Sequence, residues 1–347
     1  MKDTTMRFGR RRAAVGFVAA AVSALALSAG AGSAFAGTIT VDSEKSDGRG
    51  SFLAAVTRAN KHDGADGIRF AKKLRGQIDL PEELTITGNL VITGNTYGTP
   101  ETKGFRKLEL SGHRGGSRIE VEREANASLR GLYLDGVSLR SRGQRLTVSD
   151  SFLEGERTVD ENGIGSSEGQ LRVLRSSVQG FDGGISVAGT AVRVDRSTIS
   201  GNSGNGGIYV GNSADADISN STIASNVITG VTNSGGGISV SGYGAGARVV
   251  NSTVTDNLAT SDMAVSGGVF GDVQVISSTI SANRSAEGAG VAGGPSGDAD
   301  VTGSIVYGNV TFGGTPADCA NPFTSSGGNL IGEPGECLLE PSDRRNV

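Results

Sequence analysis

Tryptophan is absent from this 347-residue chain, aromatic residues make up only 5% of it, and there are two histidines and two cysteines. With so few large rings, the core has to be built from small aliphatic side chains. Basic charge is also in deficit. Beyond residue 36 the chain holds 27 basic against 35 acidic residues, a net charge of −8 that gives no support for nucleic-acid binding. Glycine is abundant, at 56 residues, yet no collagen-like triplet period accompanies it. Regularly spaced Val and Ile argue against a disordered Gly/Ser chain.

What is present is a repeat. An apolar residue, Ser, a β-branched residue and Asn return at fixed offsets in VDRSTISGN (194–202), ISNSTIASN (218–226), VVNSTVTDN (249–257), VISSTISAN (275–283) and VTGSIVYGN (301–309). The asparagines Asn202, Asn226, Asn257, Asn283 and Asn309 are 24, 31, 26 and 26 positions apart. A second phrase, GGISV or GGIYV, starts at Gly183, Gly206 and Gly236, with GGVF at Gly267. Within each repeat, apolar and polar residues alternate with a period of two, and no helix-length segment separates the strands. Stacking such units in parallel, about 4.8 Å apart, predicts an all-β solenoid, a right-handed parallel β-helix. In it Ile199, Ile223, Val254, Ile280 and Val306 form one internal column and the five asparagines a ladder of side-chain amides. An asparagine there suits a corner with left-handed backbone, and the glycine pairs suit corners needing positive φ or close backbone approach.

The expected organisation has four parts. Residues 1–36 read as an export signal: Arg7 and Arg10 to Arg12, an apolar run from Ala13 to Leu27, then Ala34-Phe35-Ala36 before Gly37. Sec and twin-arginine export both remain open. Residues 37–83 form an N-terminal cap, with apolar Phe52, Leu53, Val56 and Ala59 on one side of a short helix over about 51–61 and flanking strands at 39–41 and 67–70. Residues 84–317 supply the rungs. Residues 318–347 form a C-terminal loop closed by a Cys319–Cys337 disulfide, the usual fate of an even cysteine pair in an exported chain. The protein is expected to be extracellular, monomeric and without a membrane span once the signal is removed.

Two stretches of the cap carry a family resemblance. Gly50-Ser51-Phe52-Leu53-Ala54-Ala55-Val56 is similar to a conserved helix, and Gly64-Ala65-Asp66-Gly67-Ile68-Arg69-Phe70 to the strand that follows it, in secreted bacterial β-helix proteins of the CSLREA type. The cysteine and the acidic residue of the family's helix are missing here. The closing segment, SIVYGN through DCANPFTSSGGNLIGEPGEC, resembles the last rung and loop of the same group, also called choice-of-anchor proteins. The resemblance implies a pectin-lyase-like fold and secretion, and says little of chemistry.

Because that fold also houses polysaccharide lyases and hydrolases, catalysis has to be tested residue by residue. A lyase needs clustered carboxylates for calcium with an Arg or Lys base, and a hydrolase needs paired carboxylates on one face. The weak catalytic candidates are Asp160, Glu161, Asp182, and Asp195 with Arg193; Asp215 with Asp217 and Asp298 with Asp300 are further pairs. None of these recurs on neighbouring repeats as a one-face cluster would. No cofactor or metal is expected, calcium entering only under the lyase alternative. The leading expectation is a non-catalytic structural, adhesive or glycan-binding surface, its partner a polysaccharide or cell-surface glycan. The alternative is a lyase or hydrolase on the charge-rich rungs around 140–182.

Overall fold

The computed structural model describes residues 37–95, 108–113, 116–156, 161–229, 234–260, 266–286, 288, 290–294, 299–320, 323–333 and 337–345. The expected export signal and Asp160 lie outside these residues, as does Asp298.

The described chain winds into a right-handed parallel β-helix with three long faces. One sheet has twelve strands, from Gly37–Val41 at one end to Phe323–Ser325 at the other. A second has ten, between Glu83–Ile86 and Cys319–Ala320. The third again has twelve, between Gln77–Asp79 and Arg344–Arg345. A narrow five-stranded strip, from Ser203–Gly204 to Val310–Thr311, runs beside them over the C-terminal half.

Alternation within each short strand decides what goes inside. In Thr222–Ala224 the central Ile223 is fully buried while its neighbours are partly exposed. Register then stacks like on like: Ile199 pairs with Ile223, Ile223 with Val254, Val254 with Ile280, and Ile280 with Val306. The result is one continuous aliphatic core from Val41 to Ile331.

Two hydrogen-bonded ladders pin the corners. Asn202 donates its Nδ2 to Oδ1 of Asn226, and the pattern continues through Asn257 and Asn283 to Asn309, at 2.9 Å each. Each Oδ1 also accepts the backbone N–H of the preceding ladder residue. The second ladder uses the Ser of the repeat. The N–H of Ser151 donates to Oγ of Ser176, and the chain of bonds continues through Ser197, Ser221, Ser252 and Ser278 to Ser304.

The left-handed corner residue is not the asparagine itself but the one before it. Gly201, Ser225, Asp256, Ala282 and Gly308 carry φ of 64°, 56°, 54°, 55° and 74°. That turn directs the following Asn inward, where its amide replaces the missing strand partners. The second glycine of each pair answers to close approach rather than positive φ. A Cβ on Gly207 would lie 2.5 Å from the Gly237 carbonyl oxygen and 2.8 Å from Nδ2 of Asn226.

The cap is continuous with the solenoid. Strands Gly37–Val41 and Ala65–Phe70 already belong to the first twelve-stranded sheet, so parallel stacking begins well before residue 84. It also runs past 317, through Phe323–Ser325 and Leu330–Ile331. The helix is Phe52–Ala59, shorter at both ends than the periodicity suggests. Ser51 caps it, accepting from the Ala54 N–H. Asn60 ends it by turning its side chain to Thr85 O and the Thr87 N–H, which ties the helix end to the second sheet. Phe52, Ala55, Val56 and Ala59 close the core at this end. At the other end a disulfide joins Cys319 to Cys337.

Candidate functional site

Among the described residues, two open grooves follow the solenoid's sheets, and a third lies beside the cap helix. The larger, about 550 Å³, runs along the outer face of the first twelve-stranded sheet. The inward residues of its strands, such as Val192 and Val194, are buried, so the residues between them must point out. Register aligns those outward positions into one row: Arg172 pairs with Arg193, Arg193 with Asp217, Asp217 with Arg248, and Arg248 with Gln274. Asp215 lies on the same outward face two residues from Asp217, and Asp272 adds a further carboxylate to the lining.

The charges of this row are unequally matched. Arg248 approaches Asp217 at 3.6 Å, both well exposed. Arg172 and Arg193, one strand apart, form no ion pair among the described residues. Two guanidinium groups at strand spacing repel each other, and an anion between them would relieve that repulsion.

The smaller groove, about 370 Å³, crosses the ten-stranded sheet and is lined in part by Arg118, Ser138, Arg140, Glu161, Asn162 and Tyr209. Its charges satisfy one another. Glu161 accepts from Arg118 and from the Ser138 hydroxyl. Behind it the buried Glu120 is held by Arg142 at 2.8 Å, with Arg140 at 3.9 Å. Burial pushes the Glu161 carboxyl up, but hydrogen bonds from Arg118 and Ser138 and the charges of Arg118 and Arg140 outweigh it, leaving its pKa below the usual carboxylate range.

The other candidates disperse. Asp195, two residues from Arg193, does not share its groove: it is buried at the strand end and accepts from Ser219 Oγ and Asn220 Nδ2. Burial raises its pKa, and those two hydrogen bonds with the Arg196 and Arg193 charges bring it below the ordinary value. Asp182 accepts from Asn205 at 2.7 Å on another corner. Asp300 accepts from Ser326. The resolved carboxyl shifts, at Glu44, Asp150, Glu161, Asp195 and Asp343, are downward. Among the described residues no group of three or more His, Cys, Asp or Glu is placed to hold a metal ion. No described helix is long and apolar enough to cross a membrane.

Of the outward arginine row, sequence alone singles out only Arg193. The signal was the recurring apolar-Arg-Val triplet in Leu171-Arg172-Val173, Val192-Arg193-Val194 and Ala247-Arg248-Val249. Carrying the Ser and Asn register back along each repeat places these arginines near one another.

Residues 162–333 match the right handed beta helix region family. Two solved structures bear a partial likeness to the chain. The Dettilon tailspike protein is 10% identical, with a TM-score of 0.46 over 85% of this chain. Tailspike protein 3 of bacteriophage CBA120 is 12% identical, with a TM-score of 0.28 over 85% of this chain. The chain spans 66% and 58% of those two proteins. No curated protein sequence matches it. Sheet topology and the family match over 162–333 together make this a right-handed parallel β-helix protein.

Proposed function

We propose that this is an exported, non-catalytic β-helix that binds an acidic polysaccharide along the outer face of its first twelve-stranded sheet. The observation that carries the reading is the pair Arg172 and Arg193, stacked on adjacent strands in an open groove and in no ion pair among the described residues. A uronate-containing chain lying along the groove would present carboxylates to these two guanidiniums and hydroxyls to Asp215, Asp217 and Gln274. Rungs repeat at about 4.8 Å, close to the length of one sugar residue, so an extended glycan can run across several strands.

Cleavage of the same polysaccharide is the second reading. Asp215 and Asp217 favour it: they share an outward strand face, about 7 Å apart along the chain, beside Arg193 and Arg248. One experiment separates the two. The exported protein is titrated with polyuronate and neutral polysaccharides, with and without calcium, while the supernatant is assayed for unsaturated and reducing-end products. Binding to polyuronate that weakens at least tenfold in Arg172→Gln/Arg193→Gln and falls with salt, without product, is the expected result. Product lost in Asp217→Asn establishes cleavage. Equal binding by wild type and the double variant overturns the assignment of the groove.

A further inference from the structure

The cap holds a buried carboxylate that accepts no hydrogen bond. Asp66 on strand Ala65–Phe70 is 1% exposed, and neither Oδ1 nor Oδ2 has a hydrogen-bond partner. Its one ion-pair contact among the described residues is with Nδ1 of His62, 3.5 Å from Oδ2, on a side chain that is 45% exposed and charged only when protonated. A carboxylate desolvated to this degree calls for a close, charged donor.

The strand beside it begins at the expected cleavage point. Gly37 pairs directly with Asp66 in the parallel register, and a Cβ built on Gly37 would lie 3.9 Å from Asp66 Oδ1. Hydrolysis of the Ala36–Gly37 peptide bond by a leader-cleaving peptidase consumes one water. It leaves a carboxylate on Ala36 and a free amine on Gly37, which takes a proton at neutral pH. With the leader gone, rotation about the Gly37 Cα–C bond can carry the ammonium into the slot where a Cβ would stand. Glycine has no side chain to occupy that slot first.

We infer that Asp66 is the receptor for the new N-terminus: removal of the leader creates the α-ammonium group of Gly37, which completes an ion pair with this carboxylate and locks the first strand onto the cap. Before cleavage the Gly37 nitrogen is an uncharged amide, and Asp66 faces only the half-exposed His62 imidazole at 3.5 Å. Processing and the final stability of the cap are therefore coupled through two adjacent residues on neighbouring strands.

The test uses protein exported and processed from the full chain. Its N-terminal residue is read by mass spectrometry, and the rate of α-amine acylation is followed on the native protein. Gly37 is expected as the first residue, with its amine acylated at least tenfold more slowly than in Asp66→Asn. His62→Ala should leave that protection in place. Acetylating the amine should lower the melting midpoint of wild type and leave that of Asp66→Asn unchanged. Should Asp66→Asn fail to fold, a chain with one Ala inserted between Ala36 and Gly37 moves the amine off the site and should be acylated at the rate of an open terminus. The inference is overturned by an N-terminus at another residue, or by equal acylation in wild type and either variant. It is overturned equally by protection that disappears in His62→Ala, which would make His62 the partner of Asp66.

Discussion

A single amide in this fold does the work of several. Oδ1 of Asn226 accepts both the N–H and the Nδ2 of Asn202, while its own Nδ2 donates to Asn257 Oδ1 and Ile199 O. Asn226→Ala therefore strands the buried Asn202 N–H, takes one of two acceptors from Asn202 Nδ2, and removes a donor from both Ile199 O and Asn257 Oδ1, the latter keeping only the backbone N–H of residue 226. A loss of about 1–3 kcal/mol in a denaturant melt is expected, the cost of leaving such groups unpaired. Asp195 acts at the same scale through charge. Its folded pKa lies below the unfolded one, because the bonds from Asn220 and Ser219 and the nearby arginine charges outweigh burial. Its contribution is thus fully present above about pH 4, the unfolded carboxylate value, and is lost as pH falls through the lower folded value. The stability gap between wild type and Asp195→Asn should narrow as pH falls from 5 toward 3; a gap that stays constant would show that ionised Asp195 contributes nothing.

At the level of the strand, two-residue alternation fixes which side chains a rung can tolerate. Ile223 sits in the core between Ile199 and Val254, whereas Thr222 lies outside between Thr198 and Thr253. Ile223→Asp places an unpaired carboxylate among aliphatics and should cost several kcal/mol, roughly 3–5. Thr222→Asp, one residue away, should shift the urea midpoint by less than about 0.5 kcal/mol equivalent. Comparable damage from both would mean that the strand faces are wrongly assigned. This alternation is also what made the fold legible in the sequence, since a period-two pattern with invariant Ser and Asn offsets admits one register. The functional groove was less legible. Arg172 and Arg193 meet although 21 residues separate them, against 25 from Thr147 to Arg172 and 24 from Arg193 to Asp217, because the corners absorb the difference and keep the strands in register, a property of the turns and not of either strand. The backbone angle at the corner was misplaced by one residue for a similar reason. Ser225, Asp256 and Ala282 have no composition in common that would mark a left-handed site, whereas the Asn after them recurs conspicuously.

Across the whole molecule, stability is a sum of rungs and of the contacts between adjacent rungs, so the ends are the weak points. The C-terminal end shows how they are closed. The asparagine ladder does not stop at Asn309 with open donors: both its N–H and its Nδ2 are accepted by Oδ1 of the buried Asp318, whose Oδ2 takes the Glu333 N–H. The serine ladder ends likewise, with the Ser304 N–H on Asn329 Oδ1 and the Asn329 N–H on Asp343. A carboxylate can terminate such a ladder because it accepts on both oxygens and has no donor left to satisfy. The Cys319–Cys337 disulfide, spanning 18 residues, holds this terminating segment in place. Reducing it, or making Cys319→Ser/Cys337→Ser, removes about 3 kcal/mol of loop constraint. The loss should be local, because a rung feels chiefly its neighbours. Hydrogen exchange in the reduced protein should rise over strands Ile305–Tyr307, Cys319–Ala320 and Phe323–Ser325, and stay unchanged at Ala191–Asp195 in the middle of the solenoid. Asp318→Ala should produce the same pattern with the disulfide intact, since it opens both donors of Asn309 at the last rung. Uniform acceleration along the whole chain in either variant would show that the solenoid unfolds as one cooperative unit and that its ends are not independently closed.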